Sequence, residues 1–260
     1  MRITAVSYLN TIPFLYGLQN AGLLREHQLE LAVPSECARR LKDGETDIAL
    51  VPAGALKEIQ HARIITDFCL GANGPVGSVF LVAGLPPERL RKVFLDTDSR
   101  TSVILARIMF SRYWHTMPEF VHGLGGFNPE DPGETAAVVI GDKAFAFLDR
   151  MPWVLDLSGE WKLHTGMPFV FAVWMARESV DAAFEQQFNN ALAYGTTHIR
   201  DALANYPKQD QCPDPQYYLS NSISYPFDSL KREALQMFLS LADNPGTDRE
   251  EPDQPGHDAR

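Results

Sequence analysis

Between residues 3 and 52 the chain alternates short β-type runs with helical patterns, and this order leaves few folds open. Ile3–Val6 is a first apolar run, and Leu29–Val33 reads as a second strand. Asp47–Pro52 (DIALVP) is almost continuously apolar, as in a strand covered on both faces. A helix starts near Pro13, since proline is favoured in a first turn. Phe14, Leu15 and Leu18 form its apolar face, and Gly22 ends the segment. Pro34-Ser35-Glu36 opens a second helix that carries Ala38 and Leu41 and ends near Gly44. Strand, helix, strand, helix, strand predicts a parallel α/β sheet.

The middle of the chain repeats this grammar. Val79–Ala83 is strongly β-prone, and Val93–Leu95 begins another strand, followed by a polar loop and a helix over Val103–Tyr113. Ala136–Ile140 is a further buried-type strand, and Gly141-Asp142 introduces a helix over Lys143–Leu148, with Asp142 expected as its cap. A second α/β lobe is therefore expected. Phe169–Met175 is again β-type. Two helices close the pattern, one with Ser179 as the expected cap and one over Asp228–Ala242 with Asp228 in that role.

Composition fits a globular chain. Its 260 residues are 45% hydrophobic, too apolar for disorder and enough for two lobes. The net charge is −10, which argues against nucleic acid or an anionic membrane face as partner. From Asn244 onward there are five acids and two arginines, net −3, leaving −7 on the body. That tail has almost no apolar residue and is expected to be disordered. Cys37, Cys69 and Cys212 are isolated, so reduced thiols are expected, and no Cys/His spacing predicts a metal site. No window of about 18 apolar residues predicts a membrane span, and the interrupted N-terminal run lacks a signal-peptide core. A cytoplasmic location is the simplest expectation.

No G-x-G-x-x-G, Walker A or G-x-S-x-G is present, so nucleotide, cofactor and serine-hydrolase chemistry have no motif here. What remains are small-polar loops at strand ends, where open α/β sheets bind ligands. Ser7-Tyr8-Leu9-Asn10-Thr11 either meets a ligand or is a plain loop with Thr11 as a helix cap. Gly77-Ser78 offers a close backbone approach and a hydroxyl, or is a turn. Asp96-Thr97-Asp98-Ser99-Arg100-Thr101-Ser102 offers hydroxyls, Arg100 and helix-start N–H groups for a carboxylate, or is a capped helix whose arginine pairs with an acid. Gly141-Asp142 is a cap that either faces a ligand or does not. The aromatic stretch Tyr217 to Tyr225 reads first as packing of a returning segment.

VSYLNTIPF, GSVFL, LDTDSRTS, VIGDKAF and YYLSNSISYPF, in this order and spacing, resemble the chorismate dehydratase family of the futalosine route to menaquinone. The resemblance runs to about Ala242, and its most specific parts are SYLNT and S-R-T-S. It implies a two-lobed, type II periplasmic-binding-protein-like α/β fold, each lobe a mixed, mainly parallel sheet flanked by helices. Residues 1–83 plus 171–243 would form one lobe, 84–170 the other, and 244–260 the tail. It also implies a hydro-lyase that takes water from chorismate, a small dicarboxylate, to give 3-[(1-carboxyvinyl)oxy]benzoate without a cofactor. Asn10 and Ser78 would act on the substrate, whose own carboxylate would take the ring proton. Ser7, Tyr8, Thr11, Gly77, Ser99, Thr101, Ser102, Gly141 and Asp142 would surround it, with Thr101 and Ser102 at one carboxylate. Two rivals share the fold: a solute-binding protein for a small carboxylate, and the pathway's later enzyme acting on cyclic dehypoxanthine futalosine. The latter typically has Cys and Pro near the first-loop Asn, where this chain has Tyr8-Leu9.

Overall fold

A computed structural model describes residues 1–148, 150–206 and 212–243. The expected tail from Asn244 lies outside the described residues. The first sheet holds β1 (Arg2–Val6), β2 (Gln28–Ala32), β3 (Ile48–Pro52), β4 (Ala62–Ala72), β10 (Phe169–Arg177) and β11 (Ser224–Pro226), in the order β11-β4-β10-β3-β1-β2. The second holds β5 (Val79–Ala83), β6 (Lys92–Leu95), β7 (Glu119–His122), β8 (Thr135–Ile140) and β9 (Trp153–Asp156), in the order β7-β6-β8-β5-β9. The helices are α1 (Ile12–Asn20), α2 (Pro34–Lys42), α3 (Arg100–Ile108), α4 (Leu157–Thr165), α5 (Ala182–Thr197), α6 (Ile199–Asn205), the single turn α7 (Pro215–Tyr217) and α8 (Ser229–Ala242).

Both sheets are mixed. Parallel pairing is confined to β2-β1-β3 and β7-β6-β8, the segments with strand–helix–strand grammar. β10 runs antiparallel to β3 and β4, and β5 antiparallel to β8 and β9. The parallel share is thus smaller than the sequence grammar implies, because the strands that enter after each crossing arrive from the opposite end.

The first crossing differs from the expected one. Val79–Ala83, placed by sequence in the first lobe, is β5, an inner strand of the second sheet, so the chain crosses over residues 73–78 rather than near Ala83. A short, fully apolar run suits either sheet equally, and only its partner strands decide between them. The chain returns at residues 166–168, between α4 and β10. Three short edge strands, β7, β9 and β11, and helix α4 carry too little periodicity to be read in advance. Two expected caps also move: Asp181, not Ser179, caps α5, and Gly141, not Asp142, precedes the turn at Asp142–Phe147.

The lobes share one continuous core. Trp161 of α4 is fully buried and meets Phe169 of β10 at 5.4 Å between ring centroids. Phe169 in turn packs edge-on against Phe238 of α8. Shared burial of this kind joins the two lobes.

Candidate functional site

The carboxyl ends of β1 and β3 face the starts of β5 and α3 across a cleft. The free space between them is about 50 Å³. Its walls are mostly apolar, with Val6, Pro34, Pro52, Leu70, Phe171 and Ala172 on the first-lobe side. The polar groups are few and come from both lobes: Tyr8, Asn10, Ser78, Ser99, Thr101 and Ser102, with the Gly141 backbone. Among the described residues, none lining the cleft carries a carboxylate, an imidazole or an amine.

Each polar group is held by a local device. Asn10 lies in a single 3-10 turn, Leu9–Thr11, between β1 and α1. Its Oδ1 accepts from Thr11 Oγ1 at 3.3 Å, and its Nδ2 donates to the Tyr218 hydroxyl at 3.4 Å. Tyr218 donates to Ser78 Oγ at 2.8 Å. Ser78 follows Gly77, whose φ of +76° is strained for any other residue. The Gly77 N–H donates to Asp156 Oδ2 at 2.6 Å, while Asp156 Oδ1 accepts from Ser158 and Gly159 N–H and caps α4. Burial pushes the Asp156 carboxyl above its usual range, against the pull of these N–H groups.

At α3 the cap is Ser99, whose Oγ accepts from the Ser102 N–H at 3.1 Å and contacts Ser102 Oγ at 2.9 Å. Thr101 Oγ1 accepts from Gly54 N–H at 3.0 Å and donates to the Phe171 carbonyl at 3.2 Å, tying the second lobe to the first. Gly141 has φ +66°, and a Cβ there would sit 3.0 Å from the Tyr8 ring, so this glycine lets Tyr8 lie flat under the strand end. The Tyr8 hydroxyl is buried without a hydrogen-bond partner. Burial first, and then the charges of Asp98, Asp96 and Asp142, push it above the ordinary phenol range.

Seven of the eleven candidate residues therefore line the cleft: Tyr8, Asn10, Ser78, Ser99, Thr101, Ser102 and Gly141. Four do not. Ser7 is exposed, and its backbone N–H pairs with Ala32. Thr11 is fully buried behind Asn10; its side chain supports Asn10 rather than capping α1. Gly77 acts one bond back from the cleft, through its conformation and its N–H. Asp142 turns toward the first lobe, where it accepts from the Leu9 N–H at 3.3 Å and latches the lobes together. Arg100 also departs from its cradle role: it pairs with Glu58 on the surface. Lys143 is paired as well, with the buried Asp96 at 2.6 Å and with Asp98 at 3.0 Å.

Sequence reasoning missed Tyr218 and Asp156. Tyr218 looked like one more packing aromatic, and no local pattern reveals that its hydroxyl reaches residues 140 and 208 positions away. Asp156 sits before Ser158-Gly159, a cap-like pattern, but its reach to Gly77 is tertiary.

The comparisons with known proteins agree with this geometry. The sequence profile of the menaquinone biosynthesis family matches residues 1–244. A chorismate dehydratase of Thermus thermophilus is 31% identical over 214 residues, which span 75% of this chain and 77% of that protein. Among solved structures, protein AF1704 of Archaeoglobus fulgidus superposes with a TM-score of 0.73 at 14% identity, covering 93% of this chain and 96% of that one. The periplasmic aliphatic sulphonate binding protein SsuA of Escherichia coli gives 0.59 at 16% identity, covering 94% and 85%. These two likenesses show the fold alone, a periplasmic-binding-protein-like pair of lobes around a cleft. No helix among the described residues is long and apolar enough to cross a membrane. With the family profile spanning both lobes and the dehydratase relative matching three quarters of the chain, this protein belongs to the menaquinone biosynthesis family.

Proposed function

We propose that the protein is a hydro-lyase that removes water from chorismate to give 3-[(1-carboxyvinyl)oxy]benzoate, as the first step of the futalosine route. The observation that carries this reading is the character of the cleft: mostly apolar, lined from both lobes, and furnished among the described residues with hydroxyl and amide groups instead of charged side chains. Loss of a ring proton and the ring hydroxyl, as water, makes the ring aromatic. The chemistry is downhill, so the protein's task is to orient the substrate and suppress rearrangement or loss of the enolpyruvyl arm.

Asn10 and Ser78 are the proposed catalytic residues, since both line the cleft and both are held by buried partners. Thr101 and Ser102, at the start of α3, are proposed to hold one carboxylate through the Thr101 N–H and the Ser102 hydroxyl, since the Thr101 hydroxyl proton goes to the Phe171 carbonyl and the Ser102 N–H to Ser99. The ring proton then passes to the substrate's own second carboxylate. The absence of carboxylate, imidazole and amine side chains among the described cleft-lining residues supports that assignment. Among the described residues no cation lines the walls, so recognition rests on directed donors on a mostly apolar surface, where such bonds are strong.

Incubating the pure protein with chorismate and following the ultraviolet spectrum and product mass tests this. The expected result is a product lighter by one water. Binding without conversion would make the protein a carboxylate-binding relative of the sulphonate-binding fold. No interaction at all would overturn both readings and favour the later enzyme of the route. In the same assay Ser102→Ala is expected to raise KM about tenfold with kcat little changed, the loss of roughly one hydrogen bond to a charged group. An unchanged KM would remove Ser102 from the carboxylate site.

A further inference from the structure

The segment 214–226 returns from the far end of the chain to close the site. Asp214 caps its first turn, accepting from Tyr217 N–H at 2.9 Å. The chain then winds wider, in a π-turn over Tyr218–Ser222, with Ile223 N–H donating to the Tyr218 carbonyl at 3.1 Å. Such wide turns recur at functional sites, where they aim a side chain that an α-helix would point elsewhere. Here the turn holds the buried Tyr218 hydroxyl behind Asn10 and Ser78, two residues that line the cleft. Phe145 meets that ring edge-on at 5.4 Å, so it is clamped between lobes. Seven residues further on, the Tyr225 hydroxyl donates to the Asn10 carbonyl at 3.4 Å.

The hydrogen-bond inventory of Tyr218 explains what this achieves. A phenol has one proton to give and a lone pair to receive with. It receives from Asn10 Nδ2 and gives to Ser78 Oγ. Tyr218 and Thr11 thereby hold the two ends of the Asn10 amide, with Nδ2 toward Tyr218 and Oδ1 toward the Thr11 hydroxyl. Ser78, having accepted, has its own proton left to donate, and the space it lines is the cleft.

We propose that Tyr218 is the positioning residue of this site: one buried hydroxyl sets the direction of both the Asn10 amide and the Ser78 hydroxyl without touching substrate. The inference rests on the dehydratase reading for its kinetic consequence, and on the Asn10–Tyr218–Ser78 chain for its structural one. It also gives the C-terminal return a role in the reaction beyond packing.

Tyr218→Phe tests it, because it keeps the ring and its contact with Phe145 and removes only the hydroxyl. With chorismate as substrate, kcat is expected to fall about 10- to 100-fold while KM changes less than about threefold, since misdirected groups harm the reacting geometry more than binding. A purely structural role would instead lower the thermal midpoint and leave kcat of the folded fraction intact. An unchanged kcat, or a rise in KM alone, overturns the inference. The proton resonance of the Tyr218 hydroxyl supplies a readout that needs no turnover. It is expected to shift in Ser78→Ala and in Asn10→Ala, and to vanish in Tyr218→Phe. A wild-type protein inactive on chorismate would retire the dehydratase reading; a resonance unmoved by either alanine substitution would overturn the positioning role whatever the substrate.

Discussion

Ser78→Ala is expected to lower turnover of chorismate by about 10²- to 10³-fold, the usual cost of deleting one preorganised donor from a water-excluded site. Ser78 is 2% exposed, its Oγ bonds to Tyr218, and it lines the cleft, so its hydroxyl is placed to meet the substrate there. Alanine removes that donor and leaves the Tyr218 hydroxyl without an acceptor. Asn10→Ala should cost as much, because it removes a second directed amide and also frees Thr11 and Tyr218. Steady-state kinetics on the purified variants, with circular dichroism to verify folding, measure both. Turnover within twofold of wild type in either variant would remove that residue from the catalytic role.

Gly195→Ala is expected to destabilise the fold by about 3 kcal/mol or more, at or beyond the upper end for overpacking, because the clash is with backbone. A Cβ at Gly195 of α5 would lie 1.8 Å from the Pro13 carbonyl oxygen of α1 and 2.8 Å from the Gly17 nitrogen. The reciprocal position is as tight: a Cβ at Gly17 would lie 1.9 Å from the Ala191 carbonyl oxygen. No rotamer change relieves this, so the helices must part. Parting them disturbs α1, and α1 begins one residue after the turn that holds Asn10. Denaturant unfolding of Gly195→Ala measures the loss, and a midpoint equal to wild type would mean the helices repack freely. Alanine at Gly22 is the contrast: nothing lies within 4 Å of its Cβ, so any cost there comes only from its φ of +72°.

The two glycines show where sequence reading stops. Each sits inside a helical pattern as an ordinary weak helix former. Only the crossing of α1 and α5 turns them into contacts. The same holds for β5, whose apolar run was legible while its sheet was not, and for Asp142, legible as a polar residue at a helix start but turned across the cleft to the Leu9 N–H. Arg100 looked like an anion ligand beside hydroxyls. Its pairing with Glu58 depends on a 3-10 segment, Ala53–Glu58, lying beside α3.

The balance of charge is resolved in the same way. The sequence carries a net −10, which makes long-range attraction of a dianion unfavourable. The cleft carries hydroxyls from both lobes, and the neighbouring cations Arg100 and Lys143 are paired to acids.

The linear chain by itself determined two α/β units and the polar strand-end residues that line the cleft. Those features follow from hydrophobic period, turn chemistry and the location of strand ends, all of which act over a few residues. Tertiary structure alone decided which sheet receives β5, which loop residues turn away, and that Tyr218 and Asp156 hold Ser78 in place. The last of these depends on hydrogen bonds spanning 79 to 208 positions along the chain, where the chain's path in space rather than any local preference chooses the partner.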